Sequence, residues 1–370
     1  MGGRIKGLDA IRGIAAALVV VYHVMQLSLW PTQFYGATKV LLLKAFVLNG
    51  RFAVITFFVL SGFVLAMSMD KPFVVSRADV AKFYIRRVCR LYLPYLAGLL
   101  FAALLLFAVT GNGFAELRQN EWSLPTQPKN IISLLTMFGI VGDLKLNGPV
   151  WTLFVEMQVS PLIPLLFLVV PAKRKWVLMV ATVFSIACGT LMVSQGNEDW
   201  IASSTFANRL LLTGYYVQFF AYGALLYFYR SEVSVAIRKL STWAVVAGFV
   251  CAIGLLGTLF IPIKPISDFC YGLSALWVIA CCYSVPEINR FLSQGPMAYL
   301  GKISFSLYLV HMPIIFALMV LIEPLYGKFA AGLASVVVAF FVGHLFNLIV
   351  EQPAIRLGKA LTSRKSPSAY

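Results

Sequence analysis

Long apolar runs separated by short polar segments dominate the pattern of this chain. An α-helix needs about 20 apolar residues to cross a bilayer, and ten runs approach or exceed that length. They lie near residues 9–29, 47–69, 91–110, 150–170, 176–194, 210–229, 240–261, 268–285, 303–322 and 331–350. The pattern predicts an all-α integral membrane protein with about ten transmembrane helices.

A shorter apolar segment, 131–141, lies between the third and fourth runs. It is too short to cross a bilayer alone, so it could be re-entrant, interfacial or part of a folded loop. The surrounding loop, 111–149, is the longest on its side of the membrane, and we expect it to cover that mouth of the bundle.

The positions of lysine and arginine predict the orientation. If the N-terminus is cytoplasmic, twenty of the thirty lysines and arginines fall in cytoplasmic segments, nine fall in the opposite segments, and Arg12 lies within the first helix. The positive-inside rule therefore favours cytoplasmic positions for both termini. We expect the first run to remain as a spanning helix. The chain divides into a transmembrane domain, residues 1–355, and a short basic cytoplasmic tail, residues 356–370.

Composition changes the picture in two ways. With 60% apolar and 12% charged residues, the chain is far from a soluble domain, which carries about 25% charged residues. The net charge of +16 would suit a nucleic-acid partner, but the positive-inside bias explains it, so we expect no nucleic-acid binding. The three histidines fall in different apolar runs, and we expect no metal site.

The first apolar run carries Asp9, Arg12 and His23. Arg12 and His23 are eleven residues apart, which places them within about 20° of the same helix face and about 16 Å apart along the axis. Ionisable groups inside a membrane helix face the bundle interior or a wet cavity. An imidazole can serve as a general base at neutral pH, so His23 could draw the proton from an acceptor hydroxyl. The alternative is a hydrogen-bonded core histidine that ties two helices together.

Two further segments carry candidate chemistry. Arg87 and Arg90 are i,i+3 neighbours whose guanidinium groups could converge on one phosphate, although a positive-inside anchor for lipid headgroups explains them equally well. Glu156 lies within the fourth run, two turns in from the start at Asn147. An intramembrane carboxylate needs a partner. We therefore expect Glu156 to orient His23, with a structural ion pair as the alternative, and Trp151 to belong to the interfacial belt.

Small and polar residues mark three other helices. Ser61 and Gly62 form a small-residue spot on the second run, suited to close packing or to ligand approach. Polar stripes of the kind that often join membrane helices occur on the last two runs, at Ser304, Tyr308 and His311 and at His344, Asn347 and Glu351.

Taken together, these residues resemble the acyltransferase 3 family, the ten-helix membrane acyltransferases that modify bacterial envelope glycans. The resemblance covers nearly the whole chain, and its motifs occur in the order and at the spacing of the family. They are Leu8, Asp9, Arg12 and His23; Ser61-Gly62-Phe63; Arg87 and Arg90; Trp151 and Glu156; Ser304, Tyr308, Leu309, His311 and Pro313; and Glu351 and Pro353. Thr152 stands where the family often has serine. We also expect this chain to lack the fused SGNH esterase-like domain of some members.

The resemblance implies a function. A cytoplasmic acyl-CoA, most simply acetyl-CoA, would donate its acyl group to a hydroxyl of an envelope carbohydrate, such as O-antigen or exopolysaccharide, at the bacterial inner membrane. The catalytic residues would be His23 and, by our pairing above, Glu156. Donor binding would involve Arg12, Arg87 and Arg90. We also expect Ser61 to lie at the donor site, and a substrate or structural polar network to contain Asp9, Trp151, Tyr308, His311 and Glu351.

Several alternatives stay open. His23 could act as a base in direct transfer or carry the acyl group covalently. The acceptor could be a cytoplasmic small molecule, such as a macrolide, and a partner protein could complete the transfer. A transporter or flippase for a polar lipid or sugar is the rival class, but such proteins often show matching Gly/Pro-broken helices in two halves, and this sequence shows no such repeat.

Overall fold

The structure, a computed structural model, describes residues 5–29, 49–69, 77–111, 114–117, 120–125, 127–137, 144–162, 174–194, 206–256 and 264–363. These residues form fifteen α-helices. They are α1 Lys6–Val24, α2 Gly50–Met69, α3 Arg77–Arg87, α4 Leu93–Thr110, α5 Pro128–Thr136, α6 Trp151–Val159, α7 Arg174–Ser194, α8 Phe206–Phe228, α9 Arg230–Arg238, α10 Thr242–Leu256, α11 Lys264–Ser284, α12 Pro286–Leu292, α13 Gly295–Leu321, α14 Glu323–Phe346 and α15 Gln352–Thr362.

Short irregular helices connect several of these elements. A π-helical turn at Met25–Leu29 extends α1, and two others, Val88–Tyr92 and Asn347–Glu351, join α3 to α4 and α14 to α15. A 3₁₀ turn at Gly148–Val150 leads into α6. The two strands of the described residues, β1 Phe114–Leu117 and β2 Asn120–Ser123, pair as a small antiparallel hairpin.

The all-α membrane class predicted from the pattern is confirmed. Within the described residues, seven helical spans are long and apolar enough to cross a membrane, or eight when the sharply bent pair α9 and α10 counts as one. The apolar part of α7, Met179–Ser194, is shorter. Helix α6 covers nine residues of the predicted span 150–170, of which residues 163–170 lie outside the described part. The orientation across the membrane stays a prediction.

Helix α13 is the most deeply buried of these spans, with 78% of its apolar window inside the protein. It packs against α1, α4 and α14. The α1 contact is a close approach of backbones, because a Cβ atom at Gly301 would lie 2.6 Å from the carbonyl carbon and oxygen of Asp9. Gly13 likewise faces the backbone of Leu300 and Gly301. Glycine is required at such crossings because any side chain would force the two helices apart.

The C-terminal end of the short helix α5 contacts the start of the α4 span. The hydroxyls of Tyr95 and Tyr92 each donate a 2.6 Å hydrogen bond to the carbonyls of Leu134 and Leu135 at its C-terminal end. Both tyrosines lie near the start of the α4 span, about 20 to 30 Å of helical rise from Gly111, where the loop leaves that span. Segment 131–137 therefore lies against the bundle with Ser133, Leu134 and Met137 buried, whereas Ile131, Ile132 and Leu135 are exposed. Whether the segment is re-entrant or interfacial stays a prediction, and residues 138–141 lie outside the described part.

The hairpin of the same loop packs against α13. The buried Trp122 stacks on Phe316 of α13, with ring centroids 5.7 Å apart, and its indole N–H donates to the carbonyl of Leu146 at 3.3 Å. Trp122 thus anchors the hairpin to α13, and the expectation that segment 111–149 covers the mouth of the bundle stays a prediction.

The C-terminal segment packs against α3. The Nε atom of Arg86 donates a 2.6 Å hydrogen bond to the hydroxyl of Thr362, and Gly358 lies against Cys89. The segment assigned from sequence to a tail is therefore a docked helix as far as Thr362, whereas residues 364–370 lie outside the described part.

Candidate active site

Two histidines from opposite parts of the sequence form the centre of the candidate site. The Nε2 atom of His311 on α13 lies 3.2 Å from the Nδ1 atom of His23 on α1, and the ring centroids are 5.2 Å apart. His311 is fully buried, whereas His23 is half-buried. The pair therefore has a fully buried histidine packed against one that is only partly buried.

The register of α1 against α13 brings His23 and His311 into contact. The helices run parallel, since they touch both at the crossing of Gly13 with Gly301 and at His23 with His311. Each histidine follows its glycine by ten residues, or about 15 Å of helical rise. The glycine crossing thus fixes which turns face each other at the imidazole pair.

A polar network holds His311 and its helix against the start of α6. The Nδ1 atom of His311 is 2.7 Å from the carbonyl oxygen of Tyr308. The Tyr308 hydroxyl donates to the carbonyl of Pro149 and lies 2.7 Å from the Thr152 hydroxyl. The Asn147 amide donates to the carbonyl of Leu309 at 2.9 Å. The hydroxyl of Thr152 thus bonds to both the Tyr308 hydroxyl and the Pro149 carbonyl.

The predicted pairing of Glu156 with His23 is wrong. The Glu156 carboxylate instead forms an ion pair with the Nη2 atom of Arg87 at 2.9 Å and accepts a 3.2 Å hydrogen bond from Ser61. The Arg87 Nε atom donates to the Ser160 hydroxyl at 2.6 Å. Arg87, Glu156 and Ser61 thus form one polar cluster that joins α3, α6 and α2.

The two sites lie at different depths, which explains the error. Gly50 at the start of α2 contacts Tyr22 beside His23, whereas Ser61 lies eleven residues, or about 16 Å of helical rise, further along α2. The sequence placed Asn147 at the membrane surface, but it is buried beside α13. Glu156 is consequently deeper than the spacing suggested.

Trp151 also differs from the expectation of an interfacial position. Its side chain is buried and packs against Phe58 and Tyr216, with ring centroids 6.3 and 5.4 Å apart. It lies in an aromatic cluster between α2, α6 and α8. The spot at Gly62 serves close packing, because its Cα faces the backbone of Phe220 on α8.

The remaining arginines differ in their surroundings. Arg12 forms a 3.3 Å ion pair with Asp9 one turn earlier on α1. Arg90 is exposed, in contrast to Arg87 with its carboxylate partner. The expectation that Arg87 and Arg90 bind one phosphate together therefore changes. Arg87 forms an ion pair with Glu156, and Arg90 is the one of the two that is exposed.

The last predicted stripe forms a buried network at the junction of α14 and α15. Glu351 accepts hydrogen bonds from Ser306 at 2.5 Å and from the Asn347 amide at 2.8 Å. His344 lies against Tyr299, with ring centroids 5.7 Å apart, and so belongs to a different part of the bundle from the other two histidines.

An apolar groove of about 540 Å³ runs along another face of α1. Ile11, Ala15 and Leu18 line one wall, and Phe52 of α2 and Phe291 of α12 contribute to the others. Neither His23 nor His311 lines it. Among the described residues, no cluster of three or more His, Cys, Asp or Glu side chains could hold a metal ion.

Comparisons with known proteins agree with the resemblance in the sequence. A family model described as an acyltransferase domain, that of acyltransferase 3, matches residues 5–349. The chain belongs to this family. It is similar to the acyltransferase MdmB of Streptomyces mycarofaciens, with 26% identity over 388 aligned residues, covering 96% of this chain and 92% of the relative. No solved structure matches. The chain is therefore a membrane acyltransferase, and its imidazole pair belongs to the matched region.

The sequence did not reveal the contact between His23 and His311. Both histidines were identified, but they are 288 residues apart, and the stripe containing His311 was interpreted as part of a polar network. The spacing of ten residues from Gly13 to His23 and from Gly301 to His311 is the one signal that could have suggested the pairing, since two parallel helices that cross at the glycines would align the rings.

Proposed function

We propose that this acyltransferase moves an acyl group, most simply acetyl, from cytoplasmic acyl-CoA to a hydroxyl of an envelope carbohydrate such as O-antigen or exopolysaccharide. The observation that carries the proposal is the half-buried ring of His23, held by the buried ring of His311 in a bundle of the acyltransferase 3 family. In this arrangement an imidazole is fixed in position and still partly open to a substrate.

In the proposed reaction His23 acts as the general base. It takes the proton from the acceptor hydroxyl while that oxygen attacks the carbonyl carbon of the thioester. The new carbon–oxygen bond forms, the carbon–sulfur bond breaks, and the departing thiolate receives the proton from His23. The products are the ester and free CoA, and the imidazole returns to its starting state.

The arginines are proposed to act on the donor side. Arg90 is exposed on the segment that joins α3 to α4, and its guanidinium suits a phosphate of CoA. Arg87 supports this segment through its bonds to Glu156 and Ser160. Arg12, balanced by Asp9, lies about 16 Å of helical rise from His23 and so lines the donor path instead of touching the reacting carbonyl.

The acceptor and the membrane are proposed from the resemblance to the family. An envelope glycan or a lipid-linked sugar in the bacterial inner membrane agrees with a bundle of apolar spans and with an imidazole partly open at its site. A cytoplasmic small molecule is the alternative acceptor. The name of the relative MdmB states acyl transfer alone, and so leaves both acceptors compatible with the comparison.

The test measures transfer from radiolabelled acetyl-CoA in membranes that contain the protein, followed by mass spectrometry of envelope glycans from cells with and without it. We expect acetylated glycan with the wild-type protein and a loss of about 10²- to 10⁴-fold with His23→Ala, the range typical of a general base. His344→Gln is the matched control, since this histidine lies elsewhere, and should keep its activity.

Undiminished turnover by His23→Ala would remove this residue from the chemistry. Acyl-CoA consumption with unmodified glycans and a labelled small molecule in the cytoplasmic fraction would replace the proposed acceptor. Substrate translocation without acyl-CoA consumption would overturn the proposed function as a whole.

A further inference from the structure

The hydrogen bonds of the imidazole pair specify where its protons lie. The carbonyl oxygen of Tyr308 can only accept a hydrogen bond, so the Nδ1 atom of His311, 2.7 Å away, must carry a proton. A neutral imidazole has one N–H group, and the Nε2 atom of His311 is then an acceptor. Its partner at 3.2 Å, the Nδ1 atom of His23, must therefore be the donor.

This assignment leaves one ring nitrogen of His23 unprotonated. If Nδ1 of His23 donates to His311, the lone pair of the neutral ring lies on Nε2. We infer that His311 is a positioning residue, which fixes the His23 ring in the tautomer with its Nε2 lone pair free for the reaction. The inference rests on the proposed role of His23 as base, and it adds that His311 orients the His23 ring for that role.

The burial of the two rings supports this division of roles. His311 is 0% exposed, and burying an imidazolium without a bonded carboxylate is expensive, which favours the neutral ring required above. His23 is half-buried, so a substrate approaches this ring and not the one behind it. The buried histidine can orient its neighbour but has no face to offer to a substrate.

The other titratable side chains recorded against the pair are tyrosines. The Tyr22 ring on α1 packs edge-on against His23 at 5.2 Å, and the Tyr308 ring on α13 packs against His311 at 5.6 Å. The Tyr308 hydroxyl is bonded to Pro149 and Thr152, away from the imidazoles. The backbone carbonyl of Val19, one turn earlier on α1, also lies within hydrogen-bonding reach of the His23 ring and favours the same protonated nitrogen as His311. Among the side chains described around the pair, the imidazole of His311 takes the place that a carboxylate occupies in a serine-hydrolase triad.

During turnover His311 stabilises the positive charge that forms on His23. When Nε2 of His23 accepts the proton of the acceptor hydroxyl, the His23 ring becomes an imidazolium whose Nδ1–H bond points to the lone pair of His311. That hydrogen bond strengthens because its donor is now charged. Passing the proton to the thiolate returns both rings to the neutral state, so no proton is gained or lost by the pair.

The first experiment compares two substitutions of His311. The amide oxygen of His311→Gln can still accept from His23, whereas the side chain of His311→Leu fills similar space without an acceptor. We expect His311→Leu to lower kcat by about 10²-fold or more, with little change in the KM for acyl-CoA, and His311→Gln to recover at least about tenfold of that loss. The pH profile of kcat should shift in the leucine variant.

Equal losses in the two variants would show that His311 is structural, as would a rise in KM without a fall in kcat. Melting temperatures of both variants in detergent separate these outcomes from unfolding. If His311→Leu fails to fold, the glutamine variant together with the spectroscopic measurement below still decides the question.

The second experiment needs no substrate and so stands apart from the proposed function. Labelling the protein with ¹⁵N-histidine gives signals from three residues, assigned with His23→Ala, His311→Leu and His344→Gln. We expect His23 to show a protonated Nδ1 and an unprotonated Nε2. This preference should weaken in His311→Leu, where the Val19 carbonyl is left as the acceptor, and stay unchanged in His344→Gln. A His23 ring protonated on Nε2 in the wild-type protein would overturn the inference even if acyl transfer is confirmed.

Discussion

The imidazole pair and the polar cluster around Glu156 are built from the same kinds of residues but differ in what they leave available. In the cluster, the carboxylate of Glu156 is bonded to Arg87 and Ser61, and Arg87 is also bonded to Ser160. In the pair, His23 and His311 bond to each other and the outer ring remains half-buried. Opposite charges that meet inside a bundle satisfy each other, whereas two neutral imidazoles that share a hydrogen bond leave one ring nitrogen with an unused lone pair. We therefore place chemistry at the histidines and support at the ion pair.

The largest effect is expected from a substitution that breaks the ion pair between Arg87 and Glu156. Glu156→Ala leaves the guanidinium of Arg87 without its carboxylate, and removal of one partner of a buried pair is strongly destabilising. We expect the free energy of unfolding to fall by about 3 kcal/mol, the lower end of the usual range, because both side chains keep some exposure. Denaturant titration in detergent micelles measures this loss.

The matched control is the double variant Arg87→Ala with Glu156→Ala, in which neither charge is left alone. A double-mutant cycle should give a smaller loss than the sum of the single substitutions. If Glu156→Ala keeps its stability but shifts the pH profile of turnover as His311→Leu does, then the carboxylate orients His23 after all and the comparison fails.

The next largest effect is expected from a substitution at the crossing of α1 and α13, which would displace the two histidines. In Gly301→Ala the new Cβ atom would lie 2.6 Å from the backbone of Asp9, so α1 must move away from α13. A displacement of about 1 Å at a reacting group can lower a rate about 10²-fold, and we expect a loss of kcat approaching that value. Steady-state kinetics with acetyl-CoA measures it.

Gly98→Ala is the control for this substitution. Its Cβ atom would lie 3.5 Å from the side chain of Leu309, an ordinary van der Waals contact, and it should leave turnover nearly unchanged. Equal effects of the two alanine substitutions would mean that the glycine crossing does not set the register of the imidazoles.

A smaller effect separates the two arginines of the R-x-x-R motif. Arg90→Ala removes an exposed cation and should weaken the apparent affinity for acyl-CoA by about fivefold, since exposed charge pairs contribute about 1 kcal/mol or less. Its stability should not change. Titration of the donor in a transfer assay measures the affinity, and Arg290→Ala, which removes an exposed cation from α12, is the control. Unchanged donor affinity in Arg90→Ala would exclude the proposed phosphate contact.

The smallest effect concerns Ser61. Its hydroxyl donates a single 3.2 Å hydrogen bond to Glu156, and such bonds in membrane proteins contribute about 0.6 kcal/mol on average. Ser61→Ala should therefore reduce stability by about that amount and leave donor affinity unchanged. A fall in donor affinity larger than the fall in stability would support the donor-binding role that we predicted for Ser61 from the sequence.

The fold class could be predicted from the sequence because the bilayer makes it a local problem. Each apolar run must satisfy its own backbone hydrogen bonds and is long enough to cross, so the helices are readable without knowing their neighbours. The short segment 131–141 was correctly kept apart from the spans. Its contact with the start of α4 could not be predicted, because it depends on Tyr92 and Tyr95, whose hydroxyls bond to its carbonyls from another helix.

Motifs and the residues that carry them were likewise available from the sequence, and they identified the family. The sequence alone thus determined the class of protein and the family, and it predicted about ten spans and a short set of polar residues for the chemistry. It did not determine the partners within that set. His23 was assigned to Glu156 because both lay at similar estimated depths, and depth along one helix says nothing about the rotation and tilt of another.

Only the tertiary structure decided which polar groups meet. The glycine crossing of α1 and α13 brings His311 to His23, and the inward start of α6 carries Glu156 to Arg87. The physical reason is that hydrophobic periodicity specifies a helix and its length, while contacts between helices depend on backbone approach distances set by residues far apart in the chain. For this acyltransferase, those distances place one imidazole behind another.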